Sequence, residues 1–78
     1  MSSPIDAVVK NANTFLTRQY PSFRECVWNE EQKCLIYEFT SAVEAEQFEF
    51  WLQLQGSQFR TETHTYHANL TVVRQFRP

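Results

Sequence analysis

The first part of the chain places apolar and polar residues with the period of a helix. Six apolar residues recur at spacings of three and four: Ile5, Val8, Val9, Ala12, Phe15 and Leu16. At about 100° per residue they form a stripe roughly 120° wide, which is typical of a helix lying with one side on a core. The polar residues between them, Asn13 included, are expected to face solvent. Ser3 and Pro4 suit the first turn, and Pro21 predicts an end at residue 19 or 20.

The next segment, "FRECVWNEEQKCLIYEFTS", predicts a β-hairpin, because two runs rich in aromatic and β-branched residues flank the polar "NEEQ". The turn has no Asn-Gly or Asp-Gly pair, so its length is open. A two- or four-residue loop centred between Glu30 and Glu31 pairs Cys26 with Leu35 and puts the two cysteines on opposite faces. A loop of odd length would put Cys26 and Cys34 on the same face.

The segment "TSAVEAEQFEFWLQLQG" predicts a second helix that Thr40 or Ser41 caps and Gly56 ends. Ser41 with Glu44 is the favoured capping box. Its apolar residues span an arc of about 220°, roughly twice what a helix resting on one sheet needs. Two explanations remain open for the excess. In the first, the excess packs against the first helix through Trp51, Phe50 and Leu54. In the second, part of the arc is exposed as an interaction surface.

Two further runs, "QFRTETHTY" and "ANLTVVRQF", predict strands joined by a turn near "HAN". The resulting order αββαββ predicts an α+β fold with one four-stranded antiparallel sheet and two helices on one face. This order matches a circularly permuted ferredoxin-like sandwich, whose first strand has moved to the end. With 78 residues, the chain is expected to form a single domain over residues 1–78. Six residues are expected to be buried together: Val9, Phe15, Leu16, Phe48, Trp51 and Leu52.

Packing both helices on one side leaves the other face of the sheet without a cover. Because strand residues alternate between faces, we expect Trp28, Ile36, Tyr66 and Val73 on that bare face. Two such faces, or one face and a partner's helix, would exclude water from these side chains. Together with Phe50 and Leu54 of the second helix, they are the candidate interaction residues.

Composition and charge narrow the classes of function. The chain is 42% hydrophobic and 15% aromatic, which is typical of a folded domain rather than of a disordered one. Its single glycine excludes the Gly-rich loops that bind phosphates. Residues 25–49 carry seven glutamates against one lysine, and the whole chain has a net charge of −2. This balance disfavours nucleic-acid binding, which usually needs a basic surface.

The two histidines, in "ETHTYHANL", and the two cysteines are the candidates for metal or catalytic chemistry. His64 and His67 are three apart, so in a strand they point to opposite faces and share no ligand sphere. Cys26 and Cys34 lie in the other hairpin, and a cysteine–histidine pair also needs a third group that orients the base. We therefore expect no metal, no cofactor and no catalysis.

The predicted function is a non-catalytic protein-binding module that acts as an adaptor, or as an inhibitor or regulator of a larger protein. A homodimer is one of its expected forms. The alternative is a module for single-stranded nucleic acids that stacks bases on sheet aromatics beside arginines. The residues concerned are Trp28, Tyr37, Tyr66, Arg24, Arg60 and Arg74. A small enzyme ranks third. No signal peptide or membrane span is visible, so a cytoplasmic protein with two free thiols is expected.

Overall fold

A computed structural model describes residues 4–55 and 60–77, and it contains the predicted six elements in the predicted order. They are α1 (Pro4–Gln19), β1 (Phe23–Asn29), β2 (Cys34–Phe39), α2 (Ala42–Leu54), β3 (Arg60–His67) and β4 (Leu70–Phe76). Ser3 and Gly56, the predicted helix start and end, lie outside the described residues, as does the predicted beginning of the third strand at residues 58–59.

The four strands form one antiparallel sheet in the order β1-β2-β4-β3. Side chains from both helices join side chains from one face of this sheet in a single apolar cluster. Its buried members are Leu16, Phe23, Cys26, Leu35, Tyr37, Phe39, Ala45, Phe48, Leu52 and Val73. The fold is therefore α+β, with two helices and a four-stranded antiparallel sheet, as the sequence predicted.

The predicted cap of the second helix is confirmed. Ser41 is the N-cap, and its Oγ accepts a hydrogen bond from the Glu44 backbone N–H at 3.3 Å. The Glu44 side chain makes a separate contact, since its carboxylate accepts a hydrogen bond at 2.8 Å from the backbone N–H of Ser22, in the connection between α1 and β1. The start of α2 is thus fixed both to its own cap and to the segment that follows α1.

The first hairpin has a different register from the predicted one. Cys26 pairs with Tyr37 rather than with Leu35, and a four-residue loop, 30–33, follows Asn29. The Asn29 carboxamide oxygen accepts from the Gln32 N–H at 2.9 Å inside this turn. The centre of the turn lies one residue later than predicted, between residues 31 and 32, and this moves the pairing of the two strands by two residues. A shift of two residues preserves the faces, so the cysteines do lie on opposite sides of the sheet, as an even-length loop predicts.

Asn13 does not face solvent, so that prediction is wrong. Its side chain lies half-buried against β1, the outermost strand of the sheet. The Asn13 Nδ2 donates to the Cys26 carbonyl at 3.0 Å, and the Cys26 N–H donates to Asn13 Oδ1 at 2.9 Å. The carboxamide therefore takes the place of a neighbouring strand, and it closes part of a sheet edge that would otherwise be free to pair with another chain.

The predicted core set is confirmed only in part. Three of its members are buried: Leu16, Phe48 and Leu52. Val9 is half-buried against the same cluster. Phe15 and Trp51 are 49% and 40% exposed, so their expected burial is wrong. They lie on the facing sides of the two helices, where their rings stack on each other with centroids 6.0 Å apart.

Candidate protein-binding surface

Two of the predicted interaction residues lie on the wrong face of the sheet for the role expected of them. Val73 is fully buried in the core, opposite Tyr37 in the pairing of β2 and β4. Trp28 is on the helix-covered side too, because it follows Cys26 by two residues and packs against the same core. The tandem valines of β4, Val72 and Val73, are both buried, so apolar character alone did not show which of them faces the helices.

The uncovered face of the sheet mixes apolar side chains with charged side chains of both signs. Ile36 is half-buried there, and Tyr66 is exposed. Arg74 donates a hydrogen bond from Nη2 to the Tyr66 hydroxyl at 2.7 Å, and its guanidinium lies 5.9 Å from the centre of that ring. Arg60 lies over the ring of Phe76 at 4.3 Å. Val27 is also exposed on this face, beside Ile36. The arginines that contact its rings therefore interrupt the bare apolar platform predicted for it.

These contacts also weaken the nucleic-acid alternative. The arginines of the uncovered face already contact its aromatic rings, and Arg60 also lies 3.8 Å from the Glu62 carboxylate. The nucleic-acid alternative expects Tyr37 to stack on a base, but Tyr37 is buried in the core, where its hydroxyl donates to Gln75 Oε1 at 3.0 Å. Stacking of bases requires exposed rings beside free positive charge, and this face presents little of either.

The histidines and cysteines are separated in space. His64 contacts the edge of the Tyr66 ring, with centroids 4.4 Å apart, whereas His67 Nδ1 accepts from the Asn69 N–H in the β3–β4 turn at 3.2 Å. Both cysteines are buried and free. Burial raises the pKa of the Cys26 thiol to about 12, and it raises the pKa of the Cys34 thiol as well. Over residues 4–55 and 60–77, no three His, Cys, Asp or Glu side chains group as metal ligands.

The exposed apolar residues concentrate instead on the helical layer. We call five of them the helix surface: Phe15, Val43, Phe50, Trp51 and Leu54. Val43, Phe50 and Leu54 are 63%, 61% and 65% exposed. At about 100° per residue they fall within roughly 40° of one another, on the side of α2 opposite its buried residues. Trp51 lies between this stripe and Phe15 of α1, since its ring stacks on Phe15.

The wide apolar arc of the second helix is partly packed against the first helix and partly exposed. Trp51 packs against the first helix, whereas Phe50 and Leu54 remain exposed. Sequence reasoning missed three members of the helix surface. Periodicity places Phe15 and Trp51 in the core, and Val43 is not singled out. The spacing of seven residues between Val43 and Phe50, which is two helical turns, was the signal that marks them as one stripe.

The helix surface is comparable in size to the largest apolar patch of a typical monomer. A Phe or Trp side chain presents roughly 150–250 Å², so the five partly exposed side chains present on the order of 500 Å² of apolar area. The largest apolar patch on a typical monomer is about 300–600 Å², and such patches are often functional.

A cavity of about 140 Å³ lies between the two helices at one side of this surface. Its lining residues are Ala12, Phe15, Leu16, Tyr37, Phe48, Trp51 and Leu52. Phe15 and Trp51 are the exposed members, so they mark its opening, while buried Leu16 and Phe48 form its interior. The Tyr37 hydroxyl is occupied by its bond to Gln75, which leaves the cavity with predominantly apolar walls.

Acidic side chains border the helix surface. Residues 34–59 carry four glutamates and no lysine or arginine. Three of these, Glu44, Glu46 and Glu49, belong to α2. On α1, the exposed Arg18 falls about 60° from Phe15 on the side away from the sheet. Three carboxylates against one guanidinium give this border a net negative charge.

No protein-family model, no curated protein and no solved structure matches the chain. Neither described helix has the length and apolar character that crossing a membrane requires.

Proposed function

We propose that the protein is a small non-catalytic protein-binding module that engages its partner through the helix surface. The carrying observation is the stripe of Val43, Phe50 and Leu54, each more than 60% exposed. The opposite side of α2 is already committed to the core through Ala45, Phe48 and Leu52. A helix that is apolar on both sides has one side more than its own domain needs, and a second protein covers that side.

The size of the helix surface suits a reversible contact, since each partner would bury on the order of 500 Å². The total buried area of about 1,000 Å² belongs to the smaller, transient class of interfaces.

Such a module serves as an adaptor, or as an inhibitor or regulator of a larger protein, and we expect it in the cytoplasm. We expect its scaffold to be the permuted ferredoxin-like sandwich. Moving the first strand of that fold to the end of the chain yields the order β1-β2-β4-β3, which is the order of the sheet. A second copy of the chain is the other occupant considered for the helix surface, and it would make the protein a homodimer.

Paired variants test this proposal. The double variant Phe50→Ser/Leu54→Ser removes two of the three most exposed side chains of the helix surface, while Tyr66→Ser makes a comparable change on the uncovered face of the sheet. We expect wild type and Tyr66→Ser to retain the same partner from an extract of the source cells, or to self-associate equally in sedimentation. The double variant is expected to lose that association while it keeps its circular dichroism.

The opposite pattern contradicts the proposal. If association survives Phe50→Ser/Leu54→Ser and is lost in Tyr66→Ser, the uncovered sheet face is the binding surface. Salt-dependent binding of a single-stranded oligonucleotide by the same protein would favour the nucleic-acid alternative, because phosphate contacts release counterions.

A further inference from the structure

The exposed side of α2 has the residue spacing of a helix-packing seam. Val43, Gln47, Phe50 and Leu54 follow one another at steps of four, three and four, which is the alternation of the core positions in a coiled coil. We call these four residues the seam. It is about 17 Å long at 1.5 Å per residue, so three turns of a second helix cover it. An extended strand is a poorer occupant, because it needs an open sheet edge for its backbone hydrogen bonds, and a helix side offers none.

The cavity beside the seam is the size of one apolar side chain. Its volume is about 140 Å³. A dry cavity of about 150 Å³ lined by Leu, Ile and Phe holds a benzene molecule, so this one suits a leucine or phenylalanine side chain. Single anchors that fill a preformed pocket typically dominate the affinity of an interface. Phe15 and Trp51 at the opening would contact such an anchor on two sides.

The charges around the seam select the occupant. Glu46 of α2 borders it about 40° from Phe50, Glu49 lies about 100° from Phe50 on the same side, and Glu44 lies near its beginning. A two-fold contact between copies sets this surface against itself, so it would bring two net-negative borders together. A partner that carries lysine or arginine beside its apolar residues gains attraction where a second copy meets repulsion.

We infer that the helix surface binds an amphipathic helix of a partner protein that carries Lys or Arg beside its apolar stripe, with one Leu or Phe in the cavity between α1 and α2. This inference rests on the proposed function and names the class of partner. The attraction acts mainly on the rate of association and on the choice of partner, while the apolar contacts supply most of the affinity.

Three synthetic helical peptides test this. They share the same leucine stripe over three turns and differ only in the flanking residues, which are Lys, Gln or Glu. The Trp28→Phe variant leaves Trp51, at the opening of the cavity, as the only tryptophan, so its fluorescence reports binding there. We expect the Lys peptide to bind in the micromolar range and at least tenfold more tightly than the Glu peptide, with a difference that shrinks as salt is raised.

Charge-reversed variants supply the control. Glu46→Lys/Glu49→Lys is expected to reverse the preference between the two peptides. Glu38→Lys/Glu62→Lys makes the same change in net charge on the uncovered sheet face. It is expected to keep the preference for the Lys peptide, with a smaller ratio because general attraction to that peptide falls. Replacing the central leucine of the Lys peptide by alanine is expected to weaken binding about tenfold.

Equal or tighter binding of the Glu or Gln peptide overturns the inference, and so does the absence of binding by all three. In either case, loss of the cellular partner in Phe50→Ser/Leu54→Ser would still support the proposed function. The two claims therefore fail separately.

Discussion

Asn13 provides the most specific test of how the fold is held together. Its side chain makes two hydrogen bonds with the Cys26 backbone and one with the Val9 carbonyl, at 2.9–3.0 Å. A net hydrogen bond is worth about 1 kcal/mol, so losing all three costs about 3 kcal/mol, less where water reaches the strand edge. Asn→Ala in a helix returns up to about 0.7 kcal/mol of propensity. Asn13→Ala is therefore expected to lower the free energy of unfolding by about 2 kcal/mol.

Urea unfolding, followed by circular dichroism and tryptophan fluorescence, measures this change. With a slope near 1 kcal/mol per molar urea, the midpoint is expected to fall by about 2 M. Asn11→Ala is the matched control, since Asn11 is exposed on the same helix, and this variant is expected to be as stable as wild type or slightly more so. If the two variants unfold within about 0.5 kcal/mol of each other, the Asn13 bridge contributes nothing and the reasoning is refuted.

Three further outcomes are expected. The free energy of unfolding should fall as pH rises above about 9, with Cys26 contributing up to about 1.4 kcal/mol per pH unit. The reason is that the Cys26 thiol ionises near pH 9 in the unfolded chain, whereas its pKa in the folded protein is about 12. The decline should be shallower in Cys26→Ala, and parallel curves for the two proteins from pH 8 to 10.5 would refute this. A thiol reagent should titrate two thiols per chain in denaturant without prior reduction, and much more slowly in the folded protein; fewer than two would contradict the free state of Cys26 and Cys34. Trp28→Ala should destabilise the fold by about 2–3 kcal/mol and leave partner binding by the folded protein unchanged, because Trp28 packs on the core. A variant as stable as wild type that no longer binds the partner would show instead that Trp28 belongs to the interface.

The elements were predictable from local patterns in the sequence. The period of the apolar residues in α1, the Ser41 cap of α2 and the aromatic and β-branched runs of the strands each depend on neighbours within a few positions. These signals act before any tertiary contact forms, so they can be read without one.

The faces of the sheet were not predictable in the same way. Val73 was assigned to the wrong side because β4 has buried residues on both faces, with Val72 at 5% and Val73 at 0% exposure. Trp28 of β1 was misassigned because its neighbour Val27, on the other face, is apolar as well. Period-two alternation then gives no sign of which face the helices cover. Asn13 was missed for a related reason, since a polar residue on the rim of a helical stripe is solvent-facing unless a strand edge lies beside it.

Part of the helix surface was predictable from the sequence. Phe50 and Leu54 were marked by an apolar arc too wide for one sheet, and they are exposed. Phe15 belongs to the same surface because it lies at the opening of the cavity between the two helices. That cavity depends on how α1 and α2 pack on the sheet, which local patterns do not specify.

Photo-crosslinking inside the source cells tests the central claim most directly. A crosslinking amino acid placed at position 50, on the exposed side of α2, is compared with one placed at position 66, on the uncovered sheet face. We predict that position 50 traps one defined protein and that position 66 does not. A crosslinked protein recovered from position 66 and not from position 50 would contradict the assignment of the helix surface as the binding site.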